Sequence, residues 1–284
     1  MPELTVALGE LIQNAAQRLD RSGVGEPRRE ALRIWTDLND GGPARLLLEP
    51  EWPVTPGMAG RFQKAIGRRT LGEPLAHVTG WTGFRRMSLV SDGRALVPRP
   101  ETEGLVDLLL QRVRTGRVVD VGTGTGCIAL SLSQEGAFTE IIGVDCSGGA
   151  LALAGLNRLV VGAPVTLVLG DLCRPLRSGA FDALISNPPY LTVGEYSSLD
   201  ASVRDWEPAL ALVSGEDGMA ATARLLDEGR DVLRAGGWLA LEVDCSRAAM
   251  AAKRASVFGW SDVSVHTDLF GRERYLLARR SNAR

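Results

Sequence analysis

Val118-Val119-Asp120-Val121-Gly122-Thr123-Gly124-Thr125-Gly126-Cys127-Ile128-Ala129-Leu130 is the stretch that decides the fold. A short apolar run ends in a glycine-rich turn, and an apolar helical pattern follows. A buried parallel strand feeding a helix through a tight turn reads this way. Glycines let backbone N–H groups come close to a ligand, and the helix N-terminus behind them favours electron-rich groups. The spacing is G-x-G-x-G; Cys127 stands where the dinucleotide fingerprint G-x-G-x-x-G needs its third glycine. A second apolar run, Ile141-Ile142-Gly143-Val144, ends in Asp145, 19 residues beyond Gly126. That distance suits an acid that grips ribose hydroxyls. The expected ligand is a nucleoside cofactor without a required pyrophosphate, held by Gly122, Thr123, Gly124, Thr125, Gly126 and Asp145.

The chemistry is selected further on. Phe181-Asp182-Ala183-Leu184-Ile185-Ser186 reads as another buried strand, with Asn187-Pro188-Pro189-Tyr190 at its end. Two prolines cannot continue a strand, because each lacks a ladder donor, and they stiffen the turn. Ligands bind outside the carboxyl ends of parallel strands. Asn187, Pro188, Pro189 and Tyr190 are therefore the candidate catalytic residues.

This motif behind such a glycine turn resembles the S-adenosylmethionine-dependent amino-methyltransferases. Val97-Pro98-Arg99-Pro100-Glu101-Thr102-Glu103, preceded by Gly72-Glu73-Pro74-Leu75-Ala76-His77, narrows the resemblance to the HemK/PrmC family. The resemblance covers nearly the whole chain. It implies a class I, Rossmann-like α/β methyltransferase fold with a small N-terminal helical domain and a β-hairpin linker. The implied activity is methylation of the side-chain amide nitrogen, N5, of the glutamine in the Gly-Gly-Gln loop of peptide chain release factors. S-adenosylmethionine would be the donor and S-adenosylhomocysteine the product. By the same resemblance Asp171 and Leu172 lie beside the adenine, Asn187 also borders the cofactor, and the Pro98–Glu103 loop borders the active site. The sequence departs from its relatives at Leu172, where many carry an aromatic. It departs again at Asp244-Cys245-Ser246-Arg247, where a glycine and then a glutamine are common.

An amide nitrogen is a poor nucleophile, since resonance draws its lone pair into the C–N bond. Asn187 offers a side-chain acceptor and Pro188 a backbone carbonyl, enough to take both N–H groups of an amide. Tyr190 would pack on the amide plane. An exocyclic adenine amine needs the same two acceptors, so a nucleic-acid adenine N6-methyltransferase shares the motif, and a ribosomal-protein glutamine is a further possible target. A nicotinamide dehydrogenase lacks its third glycine here. A non-enzymatic cofactor-binding scaffold would not need Asn187–Tyr190 intact.

With 284 residues, 45% of them hydrophobic, the chain can bury one large core or two smaller ones. The net charge of −2 provides no broad basic field, so direct nucleic-acid binding is not expected. Cys127, Cys146, Cys173 and Cys245 form no C-x-x-C pair, which predicts neither disulfides nor a metal site and suits a cytoplasmic protein. No signal peptide or membrane span is read, and a monomer is expected.

The segment boundaries follow composition. Residues 1–71 read as a helical, substrate-docking domain: Leu8, Leu11, Ile12, Ala15 and Leu19 recur at helical spacing, then Ala31, Ile34 and Leu38, then Met58, Phe62, Ala65 and Ile66. Thr55-Pro56 reads as an N-cap with an N1 proline. Residues 72–97 read as the hairpin linker, with Ser91-Asp92-Gly93 as a turn and His77 as a structural residue. Residues 98–284 read as the methyltransferase domain. Within it are a helix with Leu105, Val106, Leu109 and Leu110, a helix over Ala150–Val161 and a strand over Val165–Leu169. A helix to Leu233 is expected to stop at Gly236-Gly237 before a strand Trp238–Val243. A helix near Ala248–Phe258 and strands Val263–Thr267 and Tyr275–Ala278 complete the expectation.

Overall fold

The structure, a computed structural model, describes residues 6–39 and 49–282. The expected domain 1–71 therefore lies partly outside the described residues. The chain divides into two compact units, Met1–Trp81 with Asp200–Trp206, and Thr82–Leu199 with Glu207–Arg284. The segment Asp200–Trp206 thus belongs to the first unit although the second unit's chain flanks it.

In the first unit Leu8–Arg21, Pro27–Leu38 and Pro56–Thr70 are helices. Leu8, Leu11, Ile12, Ala15 and Leu19 form a buried stripe in one cluster with Ala31, Ile34, Phe62, Ala65 and Ile66. Trp35 is the aromatic centre of this cluster, edge-on to Trp52 at 6.4 Å and to Phe62 at 5.5 Å. Thr55 caps the third helix by accepting from the Met58 N–H, and Pro56 occupies its first turn. Two short strands, β1 (Val6–Ala7) and β2 (Pro53–Val54), pair antiparallel, a feature that helical spacing does not announce. Arg68 pairs with Glu73 and donates to the His77 carbonyl at 3.0 Å, which ties the short helix Leu75–Thr79 to its neighbour.

β3 (Trp81–Phe84) and β4 (Met87–Val90) form the hairpin. It reverses at Arg85-Arg86, with Arg85 at φ +52°, while Ser91–Gly93 lie beyond β4. The glycine and aspartate at 92–93 are the better turn residues by type, but carboxylates hold Arg85 in place. Its backbone N–H donates to Glu103 at 2.8 Å, and its guanidinium reaches Asp107 and Glu135 at 2.6 Å.

The second unit is built on a seven-stranded sheet. β5 (Thr115–Val121), β6 (Ala137–Asp145), β7 (Thr166–Leu169), β8 (Phe181–Ser186), β9 (Leu233–Glu242), β10 (Trp260–Thr267) and β11 (Glu273–Arg280) lie in the order β10-β11-β9-β8-β5-β6-β7. Only β11 runs antiparallel to its neighbours. Alternate residues serve opposite faces. Val118, Ile141, Ala183 and Leu277 enter one core with Leu105, Leu109 and Ile128. Val119, Val144, Leu184 and Leu276 enter the other with Leu225 and Ala251. Both faces are buried, which explains why β5 and β8 read as continuous apolar runs. A mostly parallel sheet covered by helices is the Rossmann-like α/β class that the sequence predicts.

Three boundaries differ from expectation. Gly236-Gly237 does not stop a helix; the helix ends at Val232 and β9 begins at Leu233. The glycines form a bulge instead: Phe181 pairs with Leu233 but Ala183 with Trp238, and Gly236 sits at φ +78°. β10 starts at Trp260 and carries an irregularity between Ser261 and Ser264, with Asp262 at φ +49°. β11 extends beyond Tyr275–Ala278 at both ends.

Helix Pro100–Leu110 lies against β11 through Gly104. A Cβ there would fall 2.5 Å from the Tyr275 hydroxyl and 2.9 Å from its ring carbon. Tyr275 is buried, and its hydroxyl donates to the Glu101 carbonyl, so it cannot simply swing away. Overpacking of this kind costs about 1–3 kcal/mol, against which alanine's helix propensity returns about 1 kcal/mol. Gly104→Ala is expected to unfold at lower urea concentration than the wild type; equal or greater stability would show that Tyr275 is free to yield.

Candidate active site at the ends of β5 and β8

β5 and β8 are hydrogen-bonded neighbours, with Asp120 opposite Ile185. From β5 the chain proceeds to β6 and β7 on one side, whereas β8 leads to β9 on the other. This reversal of strand order opens a crevice outside the carboxyl ends, the usual ligand position in such sheets. A cavity of about 330 Å³ lies there. Gly122, Thr123, Gly124, Thr125, Asp145, Asp171, Leu172, Asn187 and Pro189 all line it. Gly126, Pro188 and Tyr190 are not on its wall.

Asp120 builds the glycine turn from below. Its Oδ2 accepts from the Thr123 hydroxyl at 2.6 Å and from the Ala129 N–H at 3.1 Å, joining strand, turn and helix. The carboxyl is fully buried, and burial raises its pKa to about 7, with the nearby Asp145 charge adding to the rise. Gly122, Gly124 and Gly126 all have positive φ. A Cβ on Gly122 or Gly124 would meet nothing nearer than 3.9 Å, so the room beside them is cavity. Gly126 answers a different need: its Cβ would touch Ala154 and Leu130 at 3.4 Å, and it begins helix Cys127–Glu135. Asp145 accepts from the Gly124 and Ser147 N–H groups, each at 2.9 Å, which fixes its carboxylate at the cavity edge with lone pairs to spare.

On the far side of the turn, Asp171 pairs with Arg224 at 2.9 Å and Arg174 at 3.1 Å, and Arg224 lowers its pKa. Leu172 takes φ +49° and packs its side chain partly into the core beneath.

Asn187 is held by residues from elsewhere in the chain. Its Nδ2 donates to the Thr102 hydroxyl at 3.0 Å, and that hydroxyl donates to Glu242 Oε2 at 2.7 Å. Burial, and after it the nearby Glu242 charge, pushes the pKa of Tyr190 up to about 12. Glu242 is buried at the end of β9, and burial raises its pKa to about 7. Glu207 is equally buried. It pairs with Arg99 at 2.6 Å and accepts from the Val97 N–H at 3.2 Å, locking Val97–Arg99 beside the cavity; the expected Pro98–Glu103 loop is shorter than read, because the helix already begins at Pro100. The sequence singles out the run containing Thr102 but not its role, and assigns Glu207 and Glu242 none. Their one signal is position: Glu207 precedes a proline after the long polar segment, and Glu242 ends an apolar strand.

Residues 10–80 match the PrmC N-terminal domain family, and residues 100–202 match the Methyltransferase small domain family. A release factor glutamine methyltransferase of Deinococcus radiodurans is 39% identical over 96% of this chain and 99% of its own. One from Moorella thermoacetica is 38% identical over 98% of both chains. The chain belongs to the release factor glutamine methyltransferase family. A solved methyltransferase from Pyrococcus furiosus, at 19% identity, covers 68% of this chain and 88% of its own with a TM-score of 0.52, a likeness of fold. In this release factor glutamine methyltransferase family member, the glycine turn, Asp145 and Asn187 share one cavity. Among the described residues no helix is long and apolar enough to cross a membrane.

Asp120 also predicts a pH dependence. Its folded pKa, about 7, stands above the ordinary 3.8. Between those values the folded state holds a proton that the unfolded state releases, so its contribution to stability falls as pH rises. Asp120→Asn keeps a neutral acceptor at that position. The melting temperature of the variant relative to wild type should therefore rise from pH 4 to pH 7. A difference that stays flat or falls would show that Asp120 is ionised throughout.

Proposed function

We propose that this chain transfers a methyl group from S-adenosylmethionine to the side-chain amide nitrogen of the glutamine in the Gly-Gly-Gln motif of a peptide chain release factor. The observation that carries the proposal is Asn187. Its carboxamide is anchored on Thr102 in the wall of a cavity that the glycine turn also lines. The residues present fit the donor. The open room beside Gly122 and Gly124 suits close backbone approach, Asp145 suits ribose hydroxyls, and Leu172 and Ile128 supply apolar wall for a base. When bound, the donor supplies an electrophilic sulfonium methyl.

The chain's own residues position the acceptor. With Nδ2 tied to Thr102, Asn187 presents Oδ1 to one N–H of the substrate amide, and the Pro188 carbonyl takes the other. Two acceptors hold the amide plane and aim the nitrogen. Placement of this kind supplies up to about 7–11 kcal/mol of a barrier. Tyr190 offers its ring as a packing surface. The helical unit carries no chemical motif and matches the PrmC N-terminal domain, which supports a docking role toward the protein substrate. The working protein is proposed to be a cytoplasmic monomer that does not itself bind nucleic acid.

Incubation with labelled donor, a release factor and its Gln→Ala motif variant tests this reading. Label is expected on the intact factor and not on the variant. Label on a ribosomal-protein glutamine, or on adenine in nucleic acid, would overturn it. Asn187→Ala should lower kcat by about 10²–10³-fold with donor affinity retained; a wild-type rate would remove the motif from the reaction.

A further inference from the structure

We propose that Glu242 is a positioning residue for the methyl transfer: through the Thr102 hydroxyl it fixes the Asn187 carboxamide with Oδ1 toward the cavity. The proposal rests on the glutamine-methylation reading above and adds a residue to it. The argument is one of hydrogen-bond polarity. A hydroxyl has one proton to give. Thr102 gives its proton to Glu242 Oε2, so it can only accept from Asn187. An accepting partner must face the Asn187 NH₂ group, and the carboxamide cannot flip. Glu242 itself is held as an acceptor. Arg274, 3.8 Å from its Oε1, favours the ionised, accepting form against the burial that raises its pKa. Asn187 thus depends, through Thr102, on a carboxylate that is 1% exposed.

The sheet explains how Glu242 comes to lie under Asn187. β8 and β9 are parallel, with Ser186 opposite Leu241, so Glu242 is level with the first residue past β8, Asn187. Thr102 comes from the first turn of helix Pro100–Leu110 and is itself buried. If Glu242 were unable to accept, the Thr102 proton would be free to point at Asn187. The carboxamide would then turn its NH₂ toward the cavity, opposing a substrate N–H with another donor.

Four variants test the relay in the full chain. Thr102→Ser keeps the hydroxyl and should keep kcat within about two-fold. Thr102→Val keeps the shape and loses the hydroxyl; kcat should fall roughly 10- to 100-fold with donor affinity near wild type and the fold retained by circular dichroism, at a lower melting temperature because buried polar atoms lose a partner. Glu242→Met should resemble Thr102→Val, and the double variant should be little worse than either single one, because both act through one chain of bonds. Multiplying effects, or full activity in Thr102→Val, would overturn the proposal. A readout independent of turnover separates this from failure of the glutamine reading. The ¹⁵N-labelled Asn187 side-chain NH₂ should exchange slowly with solvent in the wild type and Thr102→Ser, and quickly in Thr102→Val. Equal exchange in wild type and Thr102→Val contradicts the relay even if no substrate is methylated.

Discussion

Two parallel strands, β5 and β8, lie side by side, and the chain leaves them toward opposite edges of the sheet. Every element of the site depends on that pairing. Register sets Asp120 against Ile185, and so the glycine turn and Asn187 emerge at the same level. A slip of one residue would turn the slipped strand's side chains to the wrong faces. The apolar alternation on two covered faces excludes it. The cavity is thus a consequence of core packing, and the residues with chemistry are only its lining.

Buried acids then turn a crevice into a shaped site. Asp120 beneath the glycine turn, Glu242 beneath Asn187 and Tyr190, and Glu207 beneath the Val97–Arg99 loop each collect donors from segments distant in sequence. Burying a carboxyl is costly unless it is hydrogen-bonded. Once satisfied, such groups leave few alternative arrangements, because any shift strands a polar atom. Asp145 and Asp171 differ. They remain partly exposed and open toward the cavity. The division is physical: dry acids set the frame, and wet ones are available to a ligand.

Much of this was legible in the residues. Val118–Gly126 announced a strand and turn, Asp145 fell at the right distance, and Asn187–Tyr190 marked a strand end. These are local patterns, set by backbone geometry within a few residues. Thr102 and Glu242 are 140 positions apart, and no spacing rule connects them. Their meeting follows from strand order, which periodicity does not fix. The hairpin's own reversal at Arg85-Arg86 was not read, for a related reason. Glycine and aspartate at 92–93 are the better turn formers, but three distant carboxylates hold Arg85 at positive φ. Gly236-Gly237 looked like a helix stop because a bulge uses the same freedom from a Cβ. Trp35 followed Ile34 in a stripe already assigned, so its central place in the helical core showed only when Trp52 and Phe62 packed against it.

The central claim is that Asn187, held from below, receives an amide nitrogen opposite the glycine turn. A crystal structure of the chain with S-adenosylhomocysteine and a Gly-Gly-Gln peptide measures this directly. The account predicts the nucleoside against Gly122–Thr125 and Asp145. It also predicts the glutamine N–H groups on Asn187 Oδ1 and the Pro188 carbonyl, with the amide nitrogen facing the sulfur. A glutamine side chain bound away from Asn187, or a nucleoside outside the glycine turn, would contradict it.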